Sequence, residues 1–168
     1  LMLMASASSL VCFAQEPQNF TDKLWNHDFE KGPNAWDLVG EGNCSWMSQT
    51  KGEKIAVGYH GFNDLALENW RGSGAAPDNQ ASQTVKNLPN GTYVFGAYMM
   101  ATTQSREQDI ETVSGVFMFA NDQEISVATN RVEGMDTKWA HTIKFNVAAE
   151  VTDGALTVGV KCVATNAG

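Results

Sequence analysis

Apolar and polar residues alternate with a period of two along much of this chain. The clearest case is 139–147, where Trp139, His141, Ile143, Phe145 and Val147 share one phase and Ala140, Thr142, Lys144 and Asn146 the other. Leu156, Val158, Val160 and Cys162 repeat the pattern after the turn Val151-Thr152-Asp153-Gly154. Period two is the signature of a strand with one buried face. Residues 88–101 differ. After the turn residues Pro89 and Gly91, Tyr93, Phe95, Ala97 and Met99 fall on one face, and Val94, Gly96, Tyr98 and Met100 on the other. Both faces are largely apolar, which predicts a central strand covered on both sides.

The remaining segments follow the same reading. Residues 24–30, 35–39, 44–48, 54–59 and 65–70 read as short strands, and 80–85 leads into the turn at Pro89. Residues 113–120 and 124–129 form a hairpin around Asn121-Asp122-Gln123. Residues 71–79, with Gly72, Gly74 and Pro77, and the polar run 102–112 read as loops. No segment sustains a helical period. About ten short strands with regular turn signals predict an all-β fold, an antiparallel β-sandwich or jelly roll. At 168 residues the chain has room for one such domain. Trp36, Trp139 and His141 are expected in its core. The chain stops six residues after the strand-like run that ends at Cys162, so a further strand is expected beyond residue 168.

Residues 1–14 are apolar and uncharged and end in Cys12-Phe13-Ala14 before Gln15. A small residue, any residue and Ala before a polar position is a signal-peptidase pattern, and the run is too short to span a bilayer. The expected organisation is a leader remnant at 1–14, a polar lead-in at 15–23 and a sandwich domain at 24–168. The expected location is the periplasm, the outer-membrane surface or the exterior. A lipid anchor on Cys12 competes with cleavage, but Ser9-Leu10-Val11 is a poor context for it. In an exported protein Cys44 and Cys162 either bridge or sit as small apolar residues, and the inward phase of Cys162 favours the second.

Charge narrows the partners. Eleven Lys and Arg stand against nineteen Asp and Glu, a formal net charge of −8, and no basic cluster occurs. Nucleic acid and anionic membrane surfaces are therefore disfavoured as partners. Five Trp is a high number for this length, and some are expected at a binding surface rather than in the core.

Several short motifs, in order, resemble galactose-binding-like β-sandwich domains, including carbohydrate-binding modules of secreted glycan-degrading proteins from Bacteroides-type bacteria. They are Asn26-His27-Asp28-Phe29-Glu30 with Gly32 and Trp36, then Glu68-Asn69-Trp70, Gln83-Thr84-Val85, the run from Leu88 to Tyr93, and the run from Val151 to Gly159. The resemblance covers 24–168. It implies a jelly roll whose opening segment helps bind a structural Ca²⁺, with Asp28 and Glu30 donating carboxylates, carbonyls near Lys31 assisting and 51–53 contributing from the next turn. It also implies glycan or polysaccharide as ligand and a catalytic domain elsewhere in a longer chain. The alternative is a structural sandwich that packs on a neighbouring domain and binds no sugar.

Sugar rings stack their C–H faces on aromatic side chains and direct hydroxyls to amides, carboxylates and Arg. Trp46, Tyr59, Trp70 and Tyr98 are the candidate platforms, with His60, Asn63, Asp64, Glu68, Asn69 and Arg71 as polar partners. Glu68 and Trp70 also belong to the resembled signature, where their role is the fold. Catalysis finds little support. Glu68 with Asp64, or Asp109 with Glu111, has spacing for glycoside hydrolysis, but nineteen acids make such pairs common. The three His are scattered, and no metal or nucleophile motif occurs.

Overall fold

The computed structural model describes residues 16–32, 34–40, 44–50, 65–71, 78–99, 115–127 and 143–163. Among the described residues there are nine strands: β1 Asp37–Val39, β2 Cys44–Thr50, β3 Leu65–Arg71, β4 Asn79–Lys86, β5 Gly91–Met99, β6 Val116–Ala120, β7 Gln123–Ser126, β8 Ile143–Val151 and β9 Ala155–Cys162. The one helical element among them is a 3₁₀ turn, Thr21–Lys23. No helix there is long and apolar enough to cross a membrane. The predicted strand at 54–59 and the segments carrying Trp139 and His141 lie outside the described residues.

Every pairing is antiparallel. One sheet has five strands in the order β1-β4-β9-β6-β7, β5 pairs with β8, and β2 pairs with β3. Strand β9 has a neighbour on each side, and its alternation sets the core. Val158 stands opposite Gln83 on β4 and Ala120 on β6, and Val160 opposite Ala81 and Met118. Leu156, Val158 and Cys162 are buried on that face, as the sequence phase requires. Val147, Ala149 and Val151 of β8 complete the same cluster, and Tyr93, Phe95, Ala97 and Met99 of β5 pack against it. The β5–β8 pair thus lies over the five-stranded sheet, and the fold is an all-β antiparallel sandwich. Each fully buried Met118, Val151 and Val158 side chain contributes roughly 1.5–3 kcal/mol.

The back of β9 imposes a steric condition. A Cβ on Gly159 would lie 2.2 Å from the Ala81 carbonyl oxygen and 2.9 Å from Phe119 Cζ. The glycine lets β4 and the Phe119 ring close onto the central strand. At one end of the sandwich two turns dock together. Gly154 takes φ +77°, and the Leu88 N–H donates to its carbonyl at 3.0 Å. At the β6–β7 turn, Asn121 stitches the two layers. Its N–H and Oδ1 continue the ladder to Thr157 of β9, and its Nδ2 donates to the Glu150 carbonyl of β8 at 3.4 Å.

Two strand expectations are corrected. Residues 24–30 do not form a strand but a series of turns, with Asn26 at φ +54° and Phe29 at φ +61°. Asn26 is 6% exposed. Its Nδ2 donates to the carbonyls of Gly32 at 2.7 Å and Asn34 at 3.0 Å, and its Oδ1 accepts from the Lys31 N–H at 2.9 Å. Such local side-chain bonds offer the backbone an alternative to a ladder. Gln83 holds this turn to the sheet. Its Oε1 accepts from the Trp25 N–H at 2.8 Å, and its Nε2 donates to the carbonyls of Trp25 at 2.9 Å and Ala35 at 3.0 Å. Trp36 is half-buried against Phe29, ring centroids 5.2 Å apart, rather than at the centre of the core. The lead-in is also part of the fold, because Phe20 packs edge-on against Tyr93 at 5.3 Å.

The second correction concerns β5, which is covered on one face only. Thr92, Val94, Gly96 and Tyr98 are exposed, Val94 by 66% and Tyr98 by 50%. Among the described residues β5 pairs with β8 alone. Val, Thr and Tyr favour extended backbone whether or not a second layer covers them, so apolar content on both faces overstated burial.

Two substitutions test this account. Gly159→Ala is expected to cost about 1–3 kcal/mol or more, as overpacking does, read as a lower urea midpoint; an unchanged midpoint would show that β4 and Phe119 do not press on β9. Gln83→Ala removes three hydrogen bonds to the opening turn and is expected to cost about 2–3 kcal/mol, with faster amide exchange at Trp25.

Candidate functional site

The exposed face of the β5–β8 pair collects the most chemistry on the described surface. The register places Tyr98 opposite Lys144, Gly96 opposite Asn146, Val94 opposite Ala148 and Thr92 opposite Glu150. Opposed residues in an antiparallel ladder share a face, so these eight positions form one surface. Tyr93, Phe95, Phe145, Val147 and Ala149 on the reverse side pack into the core. The face is therefore held by a rigid underside rather than carried on a loop.

Its parts are arranged in order along the strands. The Lys144 Nζ lies 5.9 Å from the centroid of the Tyr98 ring. Next to them the Asn146 carboxamide lies close over bare backbone, since a Cβ at Gly96 would stand 2.7 Å from Asn146 Oδ1. Val94 and Ala148 make a short apolar strip. At the far end the Thr92 hydroxyl donates to Glu150 Oε1 at 2.5 Å. The two charges, Lys144 and Glu150, are six residues apart, roughly 20 Å along the strand. An aromatic ring, a planar amide and an ammonium thus meet at one end, with a carboxylate engaged at the other.

Of the platforms read from the sequence, Tyr98 is the one placed on this face. Tyr59, His60, Asn63 and Asp64 lie outside the described residues. Trp46, Trp70 and Arg71 fall within β2 and β3, and only their backbone positions are described. Cys44 stands opposite Arg71, Ser45 opposite Trp70 and Trp46 opposite Asn69. Positions 46 and 70 are thus out of phase by one and fall on opposite faces of the ladder. Lys144 and Asn146 were not singled out from the sequence as site residues, although the alternation of 139–147 already put both on the wet phase.

Trp25 is a second exposed aromatic, 51% accessible, with Lys31 Nζ 4.9 Å from its ring centroid. Its backbone N–H and carbonyl are both bound by Gln83. The expected strand at 24–30 obscured it, because a strand placed Trp25 among alternating positions rather than on a clamped turn.

Asp28 and Glu30 lie in that same turn. Asp28 Oδ1 accepts from the Glu30 N–H at 3.3 Å. Among the described residues no group of three or more His, Cys, Asp or Glu is placed to hold a metal. The nearby carbonyls already accept from amide side chains: Gly32 and Asn34 from Asn26, and Lys31 from Asn34 at 2.5 Å. The Asn26 carboxamide thus fills the centre of the loop on which a cation would draw. Ca²⁺ takes six to eight oxygen ligands, so two carboxylates alone do not fit it. A site here needs ligands from outside the described residues, 51–53 among them.

Compared with protein-family models, with curated proteins and with solved structures, the chain gives no match.

Chelation tests the metal directly. A calcium site completed by 51–53 lowers the melting temperature by several degrees in chelator and restores it with added Ca²⁺. An unchanged melting temperature removes Asp28 and Glu30 from any metal role.

Proposed function

We propose that this chain is a non-catalytic accessory domain of an exported protein and that it binds glycan on the exposed β5–β8 face. The observation that carries the reading is Tyr98, half-exposed on a rigid sheet face with the Asn146 amide and Lys144 beside it. A pyranose ring offers the ring of Tyr98 an apolar C–H face, and its hydroxyls suit a planar amide and an ammonium. The bare backbone at Gly96 lets the Asn146 carboxamide lie close against the sheet next to the ring. Binding of this kind is weak for one sugar. It becomes useful when the domain is tethered to an enzyme acting on the same polymer, because local concentration then replaces affinity. The motif resemblance to galactose-binding-like domains points the same way. Fold alone does not carry the function.

Val94, exposed by 66%, supports a second reading. With Ala148 and Tyr98 it makes an apolar strip that suits packing on a neighbouring domain instead of a sugar.

A glycan array probed with the full chain separates the two. Tyr98→Ala is expected to weaken binding about tenfold, the loss of roughly 1.4 kcal/mol of ring contact, with an unchanged melting temperature. A folded protein that retains no glycan ends the sugar reading and leaves the packing one.

A further inference from the structure

The lysines of the described surface are not equivalent. Lys161 on β9 forms an ion pair with Glu124 of β7, and its Nζ also lies 5.7 Å from the Phe117 ring. Its charge is spent within the fold. Lys144 has no carboxylate within ion-pair distance among the described residues, and it lies against an exposed ring. The eight positions of the β5–β8 face carry two charges, and the acidic one, Glu150, sits at the opposite end with Thr92 bound to it. Among these eight positions the charge at the Tyr98 end is the positive one of Lys144, although the chain as a whole carries −8.

We infer that the sugar taken at Tyr98 is anionic, a ring bearing a carboxylate or a sulfate ester whose negative group pairs with Lys144. This rests on the glycan reading of the same face and narrows it. The ring stacks on Tyr98, the Asn146 amide takes a neighbouring hydroxyl, and the charged substituent extends across the ladder toward Lys144. The ammonium on its four-carbon stem leaves the tyrosine ring to meet the anion, exchanging a cation–π contact for a charge-assisted hydrogen bond. The overall negative charge of the protein repels an acidic polymer, and among the described positions of this face Lys144 is the cation that opposes the repulsion.

The test uses the full chain and short oligosaccharides of four kinds: galacturonate, its methyl ester, neutral galactose and sulfated galactose, measured by calorimetry. The galacturonate or the sulfated oligosaccharide is expected to bind at least tenfold more tightly than the ester and the neutral sugar, and the two anionic arms tell carboxylate from sulfate. Lys144→Met is expected to abolish that preference, and Lys144→Arg to keep it. Lys161→Met serves as a control that leaves the preference unchanged. If Lys144→Met does not fold, Lys144→Gln supplies the same comparison. Neutral sugar bound as tightly as the anionic ones overturns the inference while the glycan reading stands. No binding in any arm, with none on the array, overturns both.

Discussion

The structure depends on how closely its neighbours can approach strand β9. This strand has β4 on one side and β6 on the other, and its two faces do different work. Leu156, Val158 and Cys162 build the core with β8, while Gly159 on the reverse lets the Ala81 carbonyl and the Phe119 ring come in. Slipping the register by one residue would turn the apolar set outward and drive a side chain into the Ala81 backbone at once. Two independent penalties thus select one register, and the five-stranded sheet follows from it.

A second layer of organisation is polar. Asn26 and Gln83 are buried amides, and each makes three hydrogen bonds to backbone groups of the opening turn. A buried amide is costly when unsatisfied and specific when satisfied. These two convert a short stretch with left-handed residues into a defined turn that presents Trp25. Asn121 plays a related part between the layers, joining β9 and β8 from the β6–β7 turn. The β5–β8 pair is therefore fixed to the sheet by apolar packing beneath and by a polar stitch at one end. Its outer face is left as a surface.

The parts of the fold most legible in the sequence are those with strict alternation. The inward phases of 145–151 and 156–162 match the burial of Val147, Ala149, Val151, Leu156, Val158 and Cys162. The hairpin at Asn121 and the turn at Gly154 were legible from turn chemistry. The opening segment was not, because Leu24, Trp25 and Phe29 look strand-like until the Asn26 side chain competes for the backbone. The wet face of β5 was not legible either. Val94, Gly96 and Tyr98 carry no strong polar pattern, and their exposure is a matter of tertiary packing. For the site, Tyr98 was readable as an aromatic in doubt between core and surface. Lys144 and Asn146 became its neighbours only through the β5–β8 register, nearly fifty residues away in the chain.

The sequence by itself determined the class of the fold, since alternation is a local property that each strand carries wherever it ends up. It also determined which face of β8 and of β9 turns inward, because polar residues occupy the other phase. Only the tertiary structure decided the strand order, the closeness of Ala81 and Phe119 to Gly159, and the clamp on Trp25, all of which join residues far apart along the chain. It also decided the fate of the strand that runs through Tyr93, Phe95 and Tyr98. Apolar residues on both sides permitted burial on both sides, and the packing of one side against the sheet left the other exposed.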